Sequence, residues 1–123
     1  MSDEISRLPP QVQERLLRLQ QLQQTLQTVL TQKQQLELEL SEVEQALIEL
    51  EKLDDTAIIY KSIGSLLVQS KKSQVNVELN ERKDLLNMRV TVLSKQEERL
   101  RSQVKDLQVK LQRDLRPLTP PSS

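Results

Sequence analysis

Apolar residues in the first half of the chain recur at alternating spacings of three and four positions, and the residues between them are mostly Gln and Glu. A seam of this kind, sustained over about six heptads, is typical of a coiled coil. Pro9 and Pro10 suit a first helical turn, where no amide proton is needed. We therefore predict a first coiled-coil helix over residues 9–53. Its two sets of seam positions are Val12, Leu19, Leu26, Leu40 and Leu47, and Leu8, Leu22, Val29, Leu36, Val43 and Leu50.

The same pattern returns in the second half of the chain and predicts a second helix over residues 73–115. Both helices have similar lengths, and Gly64 lies near the centre of the chain. A chain that folds back at Gly64 would bring the two seams together in an antiparallel pair. The second seam consists of Leu79, Leu86, Leu93, Leu100 and Leu107, alternating with Val90, Val104 and Leu111.

Charged residues interrupt both seams at corresponding heights. A register in which paired residue numbers sum to about 129 places Arg15 near Asp114 and Lys33 near Glu97, whereas Lys83 has no acidic counterpart. Such pairs contribute little stability but help to define the alignment of the helices. An alternative stays open for Arg15 and Asp114, since long side chains near a helix end can also extend into solvent.

Residues 57–71 between the helices have the composition of a β-hairpin. Two apolar, β-branched runs, AIIYKSIG and SLLVQS, meet at Gly64-Ser65. Gly at the first central position favours a two-residue type II′ turn, which pairs Ile63 with Leu66. One face of the hairpin then carries Ile59, Ile63, Leu66 and Val68, and the other carries Ile58, Tyr60 and Leu67.

Both hairpin faces are therefore largely apolar, and an isolated two-stranded hairpin is only marginally stable in water. Since the rest of the chain is helical, the missing strands must come from other chains. The sequence thus predicts a mainly α protein of one unit, residues 1–123: a long antiparallel two-helix coiled coil with a central β-hairpin that joins an intersubunit β-barrel. A simple helix-to-helix loop is the alternative, although such loops are usually shorter and more polar.

Composition excludes several classes of function. The chain has no His and no Cys, so the common nucleophile systems and zinc sites are absent, and we expect no enzyme activity, metal or cofactor. The 18 basic and 18 acidic residues balance, which argues against nucleic acid as a partner. No apolar stretch approaches the roughly 20 residues of a membrane span, and MSDEISRLPP lacks a signal-peptide pattern. We expect a cytoplasmic protein without a membrane partner.

Apolar residues also occur off the seam near both chain ends, where Leu16, Leu17, Val109 and Leu115 are joined by Leu118. The fold-back brings these ends together at the tip of the coiled coil. Exposed apolar side chains there predict a surface for nonspecific apolar contacts. Leu118 belongs to a Pro/Ser-rich tail, residues 116–123, which we expect to be disordered. Further off-seam residues nearer the hairpin could pack on neighbouring subunits: Leu38, Leu85, Met88 and Val92.

Three stretches together resemble the β-class subunit of prefoldin: PPQVQ, the hairpin segment LDDTAIIYKSIGSLLVQ, and LSKQEERLRSQVKDLQ. The resemblance covers nearly the whole chain. It implies a heterohexamer of two α-class and four β-class subunits, with a double β-barrel body and six coiled coils. It further implies an ATP-independent chaperone that captures nonnative client polypeptides at the coiled-coil tips and passes them to a group II chaperonin.

The resemblance also assigns residues to these roles. The oligomerisation set is Ile58, Ile59, Tyr60, Ile63, Gly64, Leu66, Leu67 and Val68. The client-binding set is Leu8, Val12, Leu16, Leu17, Leu19, Val109, Leu111, Leu115 and Leu118. The alternative function is a coiled-coil tether or scaffold for defined partners, with the hairpin as its dimerisation element. A nucleic-acid-binding coiled coil is disfavoured, because the chain has no aromatic stacking platform.

Overall fold

The computed structural model describes residues 7–116, which form two long helices joined by a β-hairpin. Helix α1 spans Pro10–Glu51, strands β1 and β2 span Ile59–Ile63 and Leu66–Ser70, and helix α2 spans Lys72–Leu115. The predicted fold class, mainly α with a central hairpin, is confirmed. Leu118 and the rest of the predicted tail after residue 116 lie outside the described residues.

Helix α1 begins at the proline pair that the sequence suggested. The Pro9 carbonyl accepts hydrogen bonds from the amides of Val12 and Gln13, at 2.9 and 3.1 Å. The Gln13 side chain donates to the Leu8 carbonyl at 2.7 Å. Since Pro10 has no amide proton, the first turn leaves one donor fewer to satisfy.

Helix α1 ends in a tightened turn. The amides of Lys52 and Leu53 donate to the carbonyls of Glu49 and Leu50, three residues earlier, at 3.2 and 3.1 Å. Such bonds satisfy carbonyls that a helix end would otherwise leave without a partner. The chain then turns again, where the Ala57 amide donates to the Asp54 carbonyl at 3.0 Å. The helix therefore stops two residues before the predicted end at residue 53.

The described chain divides into two compact units, one made of residues 7–32 and 93–116 and the other of residues 33–92. In the first unit, Arg15 of α1 forms an ion pair with Asp114 of α2. One heptad further along each helix, Leu22 and Leu107 line the same groove, and the next heptad brings Val29 beside Leu100. Residue numbers rise along α1 as they fall along α2. The predicted antiparallel register is confirmed in this unit.

The pairing of Lys33 with Glu97 stays a prediction. Lys33 lies near Glu37 on its own helix, with 3.9 Å between Nζ and Oε1. Glu97 accepts a hydrogen bond from Arg101 Nε at 2.8 Å. Both interactions are pairs four residues apart on one helix, which contribute only a few tenths of a kcal/mol.

The second unit contains the hairpin and the helix segments that flank it. Leu50 of α1 and Leu79 of α2 line one groove, which continues the same antiparallel register. An ion pair between Glu39 and Arg82 joins the two helices at their surface. Leu86 is fully buried, with none of its side chain exposed.

The buried residues of both units all belong to the predicted seams. In the first unit they are Val12, Leu22, Val29 and Leu111, and in the second Val43, Leu50 and Leu86. The remaining seam residues are half-buried. Two helices cannot enclose a side chain as completely as a three-layer core can, so much of the seam keeps one edge open to solvent. The stability of the helix pair depends on this narrow stripe of Leu and Val.

Replacing Leu86 by Ala is expected to lower the free energy of unfolding by about 2–5 kcal/mol, because it opens a cavity at the most completely buried position. Leu85→Ala is the matched control: it makes the same change in helix propensity one position earlier, where the side chain is 37% exposed. We expect the control to cost about 1 kcal/mol or less. Urea unfolding followed by far-UV circular dichroism measures both, and equal losses would contradict the assignment of Leu86 to the core.

Candidate interaction surfaces

The hairpin forms a two-stranded antiparallel sheet, and the structure gives it no further strand among the described residues. Ile63 pairs with Leu66 at the turn, and the ladder runs back to Ile59 opposite Ser70. This is the predicted register. The outer edge of each strand therefore carries backbone donors and acceptors that another chain could pair with.

Gly64 makes the tight turn possible. Its φ is +57°, and no residue other than glycine has a positive φ within the described part of the chain. Positive φ at the first central residue but not at Ser65 is the combination of a type II′ turn rather than type I′. A Cβ atom at Gly64 would meet nothing within 4 Å, so backbone conformation, not space, requires glycine here.

Both faces of the hairpin expose large apolar side chains. On the face shared by Ile63, Leu66 and Val68, the exposed fractions are 54%, 65% and 40%. On the opposite face, Tyr60 and Leu67 are 61% and 73% exposed. Ile58, which precedes β1, is 64% exposed. These are the predicted oligomerisation residues, and together with the open strand edges we name them the hairpin surface. Ile59 is half-buried and belongs to the base of the hairpin.

Helix contacts hold the base of the hairpin in place. Ile59 lies with Leu50, Leu53, Val75 and Leu79 around one apolar groove. These apolar contacts involve only the base of the hairpin. The side chains near the turn are not covered by the rest of this unit. The strands therefore present their apolar side chains outward from a fixed base.

Two lysines add polar contacts that the sequence pattern did not reveal. Lys61 Nζ donates to both carboxylate oxygens of Glu78 on α2, each at 2.9 Å. Lys72 Nζ donates to the Leu53 carbonyl at 2.8 Å and lies 3.5 Å from Asp55 Oδ1. These contacts tie the hairpin to α2, and the start of α2 to the turn that follows α1.

A second exposed apolar surface lies on the first unit, where the N-terminal part of α1 meets the C-terminal part of α2. Leu17 and Val109 are 57% and 39% exposed. Leu16 and Leu115 are half-buried, and each directly follows one member of the Arg15–Asp114 ion pair. We name these four residues, Leu16, Leu17, Val109 and Leu115, the helix-end surface.

The other members of the predicted client-binding set have different surroundings. Val12 and Leu111 are only 5% exposed, so their side chains pack in the seam and contribute to the helix pair rather than to an open surface. Leu8 and Leu19 are half-buried. Leu118 lies outside the described residues. The helix-end surface is therefore smaller than the predicted set.

Other exposed apolar side chains are distributed over the helices of the second unit. The predicted off-seam residues Leu38, Met88 and Val92 are 64%, 64% and 50% exposed, and Leu85 is 37% exposed. Ile48 and Val77, at 54% and 56%, were missed by sequence reasoning. Ile48 directly follows the seam residue Leu47, and Val77 lies two residues before the seam residue Leu79. Both are therefore outside the heptad pattern, and this spacing could have identified them as exposed.

The described residues offer little for chemistry. Within residues 7–116, no three acidic side chains come close enough together to hold a metal ion. Neither α1 nor α2 contains, in the described range, an apolar stretch of the length that crossing a membrane requires. What these residues present instead is two apolar surfaces and a pair of open strand edges.

Two long helices joined by an apolar, two-stranded hairpin define the class of this chain as a coiled-coil protein with a central β-hairpin. The model of the family described as "Prefoldin subunit" matches residues 13–116. The prefoldin beta subunit of Archaeoglobus fulgidus is 49% identical over 110 residues, which cover 89% of this chain and 95% of that protein. The prefoldin beta subunit of Pyrococcus furiosus is 43% identical over 112 residues, covering 91% and 96%.

A solved structure agrees with these relatives. The crystal structure of the prefoldin beta subunit from Thermococcus strain KS-1 has a TM-score of 0.84 and 42% sequence identity, covering 94% of this chain and 98% of that one. The chain belongs to the prefoldin family, and the relatives it matches over nearly their whole length are beta subunits. It is therefore a non-enzymatic, chaperone-type subunit that assembles with other prefoldin subunits.

Proposed function

We propose that this chain is the β-class subunit of a heterohexamer with two α-class subunits, and that four copies of it join the α-class chains through their hairpins. The observation that carries the proposal is the hairpin surface. Its side chains reach 73% exposure at Leu67, and both strand edges lack partners in the described chain. Strands from neighbouring subunits would pair with the open edges and cover the apolar faces, closing a β-barrel.

We further propose that the complex binds nonnative polypeptides through the helix-end surface of each subunit and passes them to a group II chaperonin without ATP hydrolysis. Support comes from Leu17 and Val109, which stay exposed beside the half-buried Leu16 and Leu115. A small apolar surface holds an unfolded chain weakly. Several subunits in one complex multiply that affinity, while each single contact still releases easily.

The proposed hand-over needs no chemistry within this chain. Holding and releasing a client rely on apolar contacts alone, which agrees with a family whose subunits are not enzymes. We place this activity in the cytoplasm, as the resemblance to prefoldin implies.

Native mass spectrometry of the complex that copurifies with this chain from its own cell extract tests the proposal. We expect a six-chain particle with four copies of this chain and two copies of one α-class partner. Identification of each subunit by peptide mass provides the control for composition. A homodimer, or a one-to-one pair with an unrelated protein, would reject the proposal and favour a coiled-coil tether instead.

A further inference from the structure

Lys61 stands out on the hairpin because it is a charged residue on an apolar strand face. Side chains two residues apart in a strand point to the same side, so Lys61 shares its face with Ile59 and Ile63. Its partner across the ladder is Val68. An ammonium group that loses water without a counter-charge is costly. A hairpin that other subunits cover would therefore be expected to carry an apolar residue at this position.

Glu78 gives the lysine a counter-charge from within the same chain. Both carboxylate oxygens accept from Lys61 Nζ at 2.9 Å, so the ammonium has two charge-assisted hydrogen bonds. Glu78 belongs to α2, and its carboxylate meets the side chain of the middle residue of β1. The pair forms without any contribution from a neighbouring subunit.

Exposure indicates that the pair is only partly removed from water in the single chain. The side chains of Lys61 and Glu78 are 30% and 40% exposed. On the same hairpin face, Ile63 and Leu66 are 54% and 65% exposed. Strands that cover Ile63 and Val68 would also exclude water from the part of Lys61 that α2 leaves exposed, since Lys61 lies beside Ile63 and opposite Val68 on this face. Assembly would therefore complete the desolvation of the lysine.

We infer that Glu78 is a built-in counter-ion that lets Lys61 enter the interface with the hairpin of a neighbouring prefoldin subunit. The inference rests on the proposed assembly through the hairpin. The carboxylate neutralises the ammonium before burial, so the interface forms without an unpaired charge. The two residues are not equivalent in this role. Removing the acid leaves a buried, uncompensated ammonium, whereas removing the lysine leaves an acid on a helix surface that still reaches solvent.

The test compares Glu78→Gln, Lys61→Met and the double variant in complexes coexpressed with the α-class prefoldin subunit of the same genome. Dissociation on dilution, followed by mass photometry, gives the apparent Kd of assembly. We expect Glu78→Gln to raise that Kd at least about tenfold, because the lysine ammonium is then buried in the interface without a counter-charge. Lys61→Met should change it by less than about threefold, since the Glu78 carboxylate it leaves behind is on the surface of α2, 40% exposed in the single chain, where water can solvate it. Adding Lys61→Met to Glu78→Gln should restore assembly.

Glu49→Gln is the matched control. It removes the acid of another Lys–Glu pair in the same unit, Lys52 with Glu49, at 3.2 Å. Those side chains are 65% and 58% exposed on the surface at the end of α1, where ion pairs contribute little. The control should leave the Kd unchanged. Thermal unfolding of the free chain should change only slightly with Glu78→Gln, because the lysine is still 30% exposed there and water can solvate part of its charge.

Three results would overturn the inference: Glu78→Gln behaving like Glu49→Gln, Lys61→Met weakening assembly as much as Glu78→Gln, or Glu78→Gln unfolding the free chain. The assembly hairpin itself is tested separately by Ile63→Asp. If Ile63→Asp releases subunits while Glu78→Gln does not, only the counter-ion role is rejected. If neither variant weakens the complex, the hairpin interface is rejected as well.

Discussion

Ile63→Asp is expected to release this chain from its complex as free subunits. Ile63 is 54% exposed beside the turn of the hairpin, on the apolar face that neighbouring strands would cover. A carboxylate there would either be buried without a partner or hold the interface open. Its desolvation costs several kcal/mol, so we expect the Kd of assembly to rise at least about a hundredfold.

Ile48→Asp is the matched control for this variant. Ile48 is also 54% exposed and lies in the same unit, but it is on the outer surface of α1. The same change in side chain and charge should leave the complex intact. Size-exclusion chromatography with light scattering separates the two outcomes, and circular dichroism checks that the helices of both variants remain folded. A complex of unchanged mass with Ile63→Asp would remove the case for assembly through the hairpin.

Replacing all four residues of the helix-end surface by Ser is expected to abolish most protection of an aggregating client while leaving assembly intact. Leu16, Leu17, Val109 and Leu115 provide the apolar area that an unfolded chain would contact at this end. Losing it should weaken client binding at least about tenfold per subunit. Light scattering of chemically denatured citrate synthase, diluted into the complex, measures the protection.

The control replaces four other exposed apolar residues by Ser: Leu38, Ile48, Met88 and Val92. Their side chains are 50–64% exposed. If protection depended only on the total exposed apolar area, this control would protect the client less well than the helix-end variant. Protection by the control is measured only after size-exclusion chromatography has shown that the control assembles, since three of the four residues could pack on neighbouring subunits. We expect it to protect the client nearly as well as the unmodified complex. Since Leu16 and Leu115 are half-buried, the pair Leu17→Ser and Val109→Ser tests the exposed residues without disturbing the seam. Full protection by both the quadruple and the double variant would rule out the helix-end surface.

Membership of the prefoldin family supports the predictions for the hairpin and for the helix-end surface, but it does not test either of them. The family establishes that the chain assembles with other prefoldin subunits and has a chaperone-type role. Family membership does not say which side chains form the assembly interface and which contact the client. The exposed fraction of each side chain distinguishes residues that the resemblance assigns to one set. Val12 and Leu111 belong to the predicted client-binding set, yet each is only 5% exposed. Substitutions at those two positions should lower the stability of the helix pair before they alter client contacts.

Much of the local structure follows from periodicity in the sequence. The spacing of Leu and Val residues predicted both helices, because only a helix brings such positions to one side. Gly64-Ser65 between two β-branched runs predicted the turn and its register, because a two-residue loop leaves little choice of pairing. The Arg15–Asp114 pair was also predictable, since an antiparallel register aligns the interruptions of the two seams.

Side chains that flank these patterns were harder to place. Leu16 and Leu115 lie off the seam in the sequence, and exposure was expected for both. The structure leaves them half-buried, next to Arg15 and Asp114, which form an ion pair between the helices. The burial of a side chain that flanks the seam depends on the local distance between the two helix axes. The heptad spacing of the sequence does not specify that distance.

The sequence by itself determined the two helices, the hairpin register and the choice of seam residues, because those features depend on spacing along one chain. Only the tertiary structure decided which charge faces Lys61 and how Lys72 joins the start of α2 to the turn after α1. Glu78 is one of several acidic residues in the first part of α2. The orientation of the hairpin relative to that helix brings Glu78 within hydrogen-bond distance of Lys61. That orientation comes from Ile59 packing among Leu50, Leu53, Val75 and Leu79, side chains that meet only after the chain has folded back.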